Sequence, residues 1–221
     1  MALARCLVRK PKVLLLDEPL GALDKKLREE MQLELRQIQK TVGITFILVT
    51  HDQEEALTMS DRIAVMSKGK VLQIDNSTRL YEAPICREVA EFIGTMNFLE
   101  GSVSKIESDQ AIIDAGPVGT LSVGIGDHRV TPRERVTVAI RPEKVQIGAD
   151  RPDQPYNVVA GHVTAEAYLG DRSQYYVEVP GVSRRFAVAY QNMARMLDNS
   201  NEQGRAVWLS WPSESAILLP S

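Results

Sequence analysis

Asp17 and Glu18 stand side by side at the end of the aliphatic run VLLL, and His51 stands at the end of a second apolar run, TFILVT. Two adjacent carboxylates and an imidazole are the groups that hydrolytic phosphoryl chemistry uses. One carboxylate can hold Mg²⁺ through a water, a second can orient or deprotonate an attacking water, and a histidine can bond a terminal phosphate oxygen. Each residue alone has an ordinary explanation: an acidic pair after a strand often caps the next helix, and a single histidine is often a core or capping residue. The joint case is stronger. If the two runs are neighbouring strands of a parallel sheet, all three side chains leave from carboxyl ends into one crevice, where ligands of open parallel sheets bind.

The elements needed to do this are legible. VLLLD reads as a strand buried on both faces of a parallel sheet. After it, Leu27, Met31, Leu35, Ile38 and Val42 recur at helical spacing with charged residues between, so one apolar stripe is expected. Asp24 sits at the N-cap position and Gly43 at the C-terminal glycine position. DQEEALTM starts a second helix, with Asp52 as N-cap and Glu55 three residues later in a capping-box arrangement. RIAVMSKGKVLQID reads as a hairpin turning at Gly69. Strand, helix, strand, helix implies an α/β sheet domain over residues 1–96. From 97 to 221 the grammar changes to short β-rich stretches separated by Gly, Pro, Asp and Asn, which implies an all-β module of small barrel type. A hairpin through Pro180 and Gly181 is expected there, and no internal repeat is visible.

Composition narrows the function classes. The formal net charge is -3 with both signs interspersed, which gives no basic footprint for nucleic acid. The longest apolar runs fall far short of the roughly 20 residues a spanning helix needs. The N-terminal MALARCLVRKPK has basic residues after a short apolar start and no small-residue cleavage site, unlike a signal peptide. Cys6 and Cys86 lack metal-ligand or CxxC spacing, as expected of a reducing compartment. The expected location is cytoplasmic.

VLLLDEP, then GALD, then ILVTHDQEEA, continuing through DRIAVMSKGKVLQID, strongly resembles the ATPase subunit of ATP-binding-cassette (ABC) transporters. Three motifs in order over about 70 residues make a far more specific signal than any one of them. The resemblance implies a partial P-loop NTPase nucleotide-binding domain, with ATP and Mg²⁺ as cofactors. By it Asp17 ends the Walker B strand and serves Mg²⁺ through a water, Glu18 is the general base, Asp24 closes the D-loop across a dimer interface, and His51 is the switch histidine. MALARCLVRKPK resembles the helix after the LSGGQ signature, with Arg5 near the sheet. The β remainder resembles the OB-like regulatory barrels called TOBE domains, and AVWLSWPSESAILL is most similar to subunits of importers for polyamines such as putrescine and spermidine. Iron, sulfate and sugar importers have similar tails. The partners so implied are a second ATPase subunit, two transmembrane permease subunits and, indirectly, a solute-binding protein, with no nucleic acid. The implied place is the cytoplasmic face of the bacterial inner membrane.

The sequence also departs from that family. It contains no GxxxxGK[ST] and no LSGGQ, and its one Gly-Lys pair, Gly69-Lys70, is followed by Val71 in the expected turn. The chain begins where the family's signature helix is under way, so an N-terminal truncation is expected, and with it an inactive isolated polypeptide. A non-catalytic regulatory or dimerisation remnant is the competing reading. Glu54 and Glu55 fit the dipole of a first helical turn, and the charged face from Arg28 to Gln39 fits simple solvation. His128 and His162 have no partners at ligand spacing. Tyr168, Tyr175, Tyr176, Trp208 and Trp211 read as barrel core, with a regulatory pocket as the alternative.

Overall fold

The computed structural model describes Leu7 and residues 11–126, 129–153, 157–193 and 204–220. Expectations for Arg5, Cys6 and His128 lie outside the described residues. The chain divides into two compact units: the first runs to Ile85 and takes in Phe92–Gly94, and the second takes Cys86–Glu91 and the chain from Thr95 onward.

In the first unit, β1 (Val13–Asp17) and β2 (Thr45–Val49) pair in parallel, with Val13 opposite Thr45 and Asp17 opposite Val49. A parallel pair requires a crossover, and α1 (Lys25–Val42) supplies it. The helix starts where Asp24 accepts from the Leu27 N–H at 3.0 Å. It stops at Gly43, whose φ of 68° is cheap only for glycine and whose N–H donates to the Gln39 carbonyl. Of the expected stripe, Leu35 is fully buried, while Leu27 and Val42 are exposed. Leu27 and Met31 join Leu16, Leu20, Leu23 and Leu35 around an open apolar groove of about 320 Å³.

The expectation that VLLLD is buried on both faces fails. Side chains alternate along a strand, and only the Leu14 and Leu16 side turns inward. Val13, Ile47 and Val49 are exposed and Leu15 is 72% exposed, because nothing in the described chain covers that face of the two-stranded sheet. β3 (Ile63–Ser67) and β4 (Lys70–Asp75) form the expected hairpin. Its two turn residues, Lys68 and Gly69, have φ of 47° and 75°, the pattern of a type I′ turn. Helices α2 (Gln53–Met59) and α3 (Ser77–Glu82) belong to this unit, and α4 (Arg87–Phe92) leads into the next.

The second unit is all-β apart from that helix and short 3₁₀ turns. Its strands are β5 (Asn97–Glu107), β6 (Gln110–Asp114), β7 (Thr120–Gly124), β8 (Arg135–Ile140), β9 (Gln146–Gly148), β10 (Asn157–Tyr168), β11 (Arg172–Glu178), β12 (Phe186–Gln191), β13 (Ala206–Trp211) and β14 (Ala216–Pro220). They make two five-stranded antiparallel sheets, ordered β14-β8-β5-β6-β7 and β9-β13-β10-β11-β12. The turn Val179 to Val182, with Pro180 and Gly181 at its centre, connects β11 to β12 as expected.

These two sheets are built alike, so the absence of a repeat expected from sequence is corrected. Asn97 opens β5 and Asn157 opens β10, and each is buried with its amide paired both ways to a backbone in the other half. Asn97 accepts from the Ala187 N–H and donates to the Ala187 carbonyl; Asn157 does the same with Ser122. Gly101 and Gly161 follow at the same offset. A Cβ at Gly101 would lie 2.5 Å from Ile113 Cγ2 and 2.8 Å from the Asp114 carbonyl oxygen, and one at Gly161 would lie 2.5 Å from Val177 Cγ1 and 2.8 Å from the Glu178 oxygen. Each long strand then bulges just after Val103 or Val163. The halves also exchange edges: β9 follows β8 but pairs with β13, while β14 follows β13 but pairs with β8. One core spans both halves, with Leu99, Val138, Val159, Leu209 and Trp211 within it.

The expected barrel aromatics divide. Trp211 is fully buried and stacks on Phe186 at 5.7 Å, and Tyr175 packs on the core. Trp208 is half-buried beneath Arg151, whereas Tyr168 is 58% exposed, so it is not a core residue. His162 is exposed.

Candidate functional site

Parallel pairing of β1 and β2 places Asp17 beside Val49 at the strand ends, and the ladder continues one step further as the Glu18 N–H donates to the Val49 carbonyl at 2.8 Å. The next residues of both strands therefore emerge together. Glu18 has φ of 42°, the left-handed region a side-chain-bearing residue rarely adopts, and its carbonyl accepts from the Gly21 N–H to close a turn. Across from it, His51 Nδ1 lies 2.9 Å from Glu18 Oε1. An Nδ1–H that donates to the carboxylate leaves Nε2 as the ring's outward atom.

This pair holds the chain together only weakly. The side chains are 77% and 55% exposed, and ion pairs in such settings contribute about 0–1 kcal/mol. A strained backbone beneath an exposed carboxylate and imidazole is poorly explained by stability. It suits groups kept open for a ligand.

Asp17 ends the same strand and is exposed, and its carboxylate makes no hydrogen bond or ion pair among the described residues. The structure thus brings Asp17, Glu18 and His51 to one edge. Asp24 is different: its carboxylate is engaged in capping α1 and makes no hydrogen bond or ion pair with those three.

Residues 138–219 match the family model described as TOBE domain. Along the whole chain, the spermidine/putrescine import ATP-binding protein PotA of Rubrobacter xylanophilus is 48% identical over 220 residues, which cover 99% of this chain and 56% of that protein. The chain is similar, end to end, to ATP-binding subunits of importers. PotA of Thermobifida fusca is 45% identical over 227 residues, covering 100% of this chain and 56% of its own length. The putrescine transport ATP-binding protein PotG of Escherichia coli is 43% identical over 220 residues, covering 99% and 58%. The chain spans a little over half the length of these curated relatives.

Relatives that bind ATP raise the question of Mg²⁺. Among the described residues no group of three or more His, Cys, Asp or Glu side chains could cage a metal ion. Mg²⁺ does not require a cage: it keeps several waters and takes one or two carboxylates with phosphate oxygens. The exposed carboxylate of Asp17, unshared among the described residues, fits that demand.

Sequence reasoning missed the contacts made by the residues that follow His51. Asp52 caps α2, with Oδ1 accepting from the N–H groups of Glu54 and Glu55, but the reciprocal half of the expected capping box is not formed. The Asp52 N–H donates to Thr50 Oγ1, and Glu55 is 1% exposed with one carboxylate oxygen unpartnered among the described residues. It is a buried acid in the first helical turn, where the expected dipole interaction is retained. The charged face from Arg28 to Gln39 is likewise not merely solvated. Arg36 reaches the Met59 carbonyl at 2.6 Å and Asp61 at 3.1 Å, and Arg28 reaches Asp52 at 2.7 Å and the Leu23 carbonyl at 3.0 Å. Their basic character at inward-turning helix positions is the only sequence signal for these contacts. No helix among the described residues is long and apolar enough to cross a membrane.

Proposed function

We propose that this chain is the second half of the ATP-hydrolysing subunit of a polyamine importer. Residues 1–96 complete the nucleotide-binding domain, and residues 97–221 form its TOBE regulatory module. The observation that carries the reading is the Glu18–His51 pair at 2.9 Å on adjoining parallel strand ends, beside the open carboxylate of Asp17.

In this reading Glu18 Oε2, left free by the contact at Oε1, takes the proton of the attacking water. His51 donates through Nδ1 to hold Glu18, and its outward Nε2 meets a terminal phosphate oxygen. Asp17 would hold Mg²⁺ through a water, and the metal when bound would neutralise phosphate charge. Asp24 fixes the start of α1 and presents the GALD turn to a second subunit. The cradle for the phosphates must come from residues this sequence does not contain, because positioning and charge stabilisation carry most of phosphoryl transfer. The subunit would act as a dimer on two permease subunits at the inner face of the bacterial membrane, serving a solute-binding protein indirectly.

Placing this chain behind the preceding half of the Rubrobacter relative, with that relative's permease, tests the roles. Turnover of ATP is expected, and Glu18→Gln should lower it by roughly 10²–10⁴-fold. Turnover that survives Glu18→Gln refutes the assignment. The 221-residue polypeptide by itself should show no micromolar Mg-ATP binding in calorimetric titration, and a clear micromolar isotherm would contradict the division of labour.

A further inference from the structure

Arg28 lies on α1, yet both of its bonded partners belong to the segments that carry the site. Nη2 donates to the Leu23 carbonyl at 3.0 Å, inside the run that starts at Glu18 and ends at Asp24. Nη1 donates to Asp52 Oδ2 at 2.7 Å, one residue after His51. Asp52 is committed on its other oxygen to the Glu54 and Glu55 N–H groups, so the guanidinium completes its set of acceptor contacts. The side chains of Arg28 and Asp52 are only 28% and 22% exposed, which strengthens a charge-assisted contact relative to an open surface pair.

We propose that Arg28 is a positioning residue that fixes the separation of the Glu18 turn and the His51 turn, and so the geometry of the proposed base and switch histidine. The inference rests on the reading above for its kinetic part but not for its structural part. Glu18 and His51 are both largely exposed and are joined to each other by one contact, so neither is held by packing. Their turns need another tie, and a planar fork with five donors suits two acceptors at a fixed spacing, which an ammonium does not. Arg28→Lys is therefore expected to keep the charge and lose most of the effect.

The structural part is read on the chain as it stands by amide hydrogen exchange. Arg28→Met should speed exchange together at Gly21 and Leu23 and at Glu54, Glu55 and Ala56, and leave the β3–β4 hairpin unchanged. Faster exchange in only one segment, or throughout the unit, overturns the tie.

The kinetic part is read in the joined subunit described above. Arg28→Met should lower kcat on the order of 10- to 100-fold with KM for ATP little changed, the scale of a small misplacement of catalytic groups. In a His51→Ala background the same change should have almost no further effect, whereas a role in general folding would reduce both backgrounds alike. An undiminished kcat, or equal losses in both backgrounds, overturns the proposal even where Glu18→Gln abolishes turnover. If the parent subunit itself fails to turn over, the functional reading falls while the exchange result still decides the tie.

Discussion

The unit proposed to carry the chemistry is thinly built, and the second unit is densely packed. In the first, two two-stranded sheets serve as scaffold and Leu15 in the middle of β1 is 72% exposed; in the second, Leu209 and Trp211 of β13 are fully buried within one core shared by two five-stranded sheets. Reactive side chains need only strand ends, so a minimal parallel pair suffices to place them. A duplicated unit instead gains its stability from each half covering the other. Position is therefore conferred by topology in one unit, and persistence by packing in the other.

The largest expected effect that would break this contrast is at Trp211. Trp211→Ala removes the partner stacked on Phe186 and should cost about 3–5 kcal/mol in urea unfolding followed by near-ultraviolet circular dichroism, with the exchange of first-unit amides unaltered. A loss below 1 kcal/mol would show that the core is not the source of stability.

A smaller effect sharpens the comparison inside the second unit. Asn97→Ala and Asn157→Ala each strand one backbone N–H and one carbonyl, and each should cost roughly 2–4 kcal/mol. Asn97 should cost more, because its partner Ala187 is buried whereas the contacts at Ser122 are only partly so. Equal or reversed losses would mean that the two junctions differ in some way other than burial.

The smallest effect is at the bare sheet of the first unit. Leu15→Gln should change unfolding free energy by no more than about 0.5 kcal/mol, while sedimentation should show less self-association than in the parent chain. A destabilisation of 2 kcal/mol or more would mean that the Leu15 face is covered in solution.

What could be read from sequence divides along physical lines. Caps and turns were legible, since Asp24, Gly43 and Gly69 act through their own backbone neighbours. So was the meeting of Glu18 and His51, because an apolar run ending in a polar residue marks a strand end and parallel pairing aligns such ends. Burial of β1 was not legible: VLLL looks the same whether one face or two are covered. The role of Arg28 was hidden because its partner lies 24 residues away and a helix-surface arginine looks like any other. The repeat escaped notice for a related reason. Its matching positions, Asn97 with Asn157 and Gly101 with Gly161, serve backbone geometry, while the apolar positions between them differ freely so long as they fill volume.

The exchange of edges between the two halves also sets an order of events. The sheet begun by β5 is not complete until β14, the last strand described, has been made and has travelled back to β8. During synthesis that earlier sheet must wait with an open edge, and a chain that stops just short of β14 would be damaged far upstream of the cut, beside residues 135–140, and not where it was shortened.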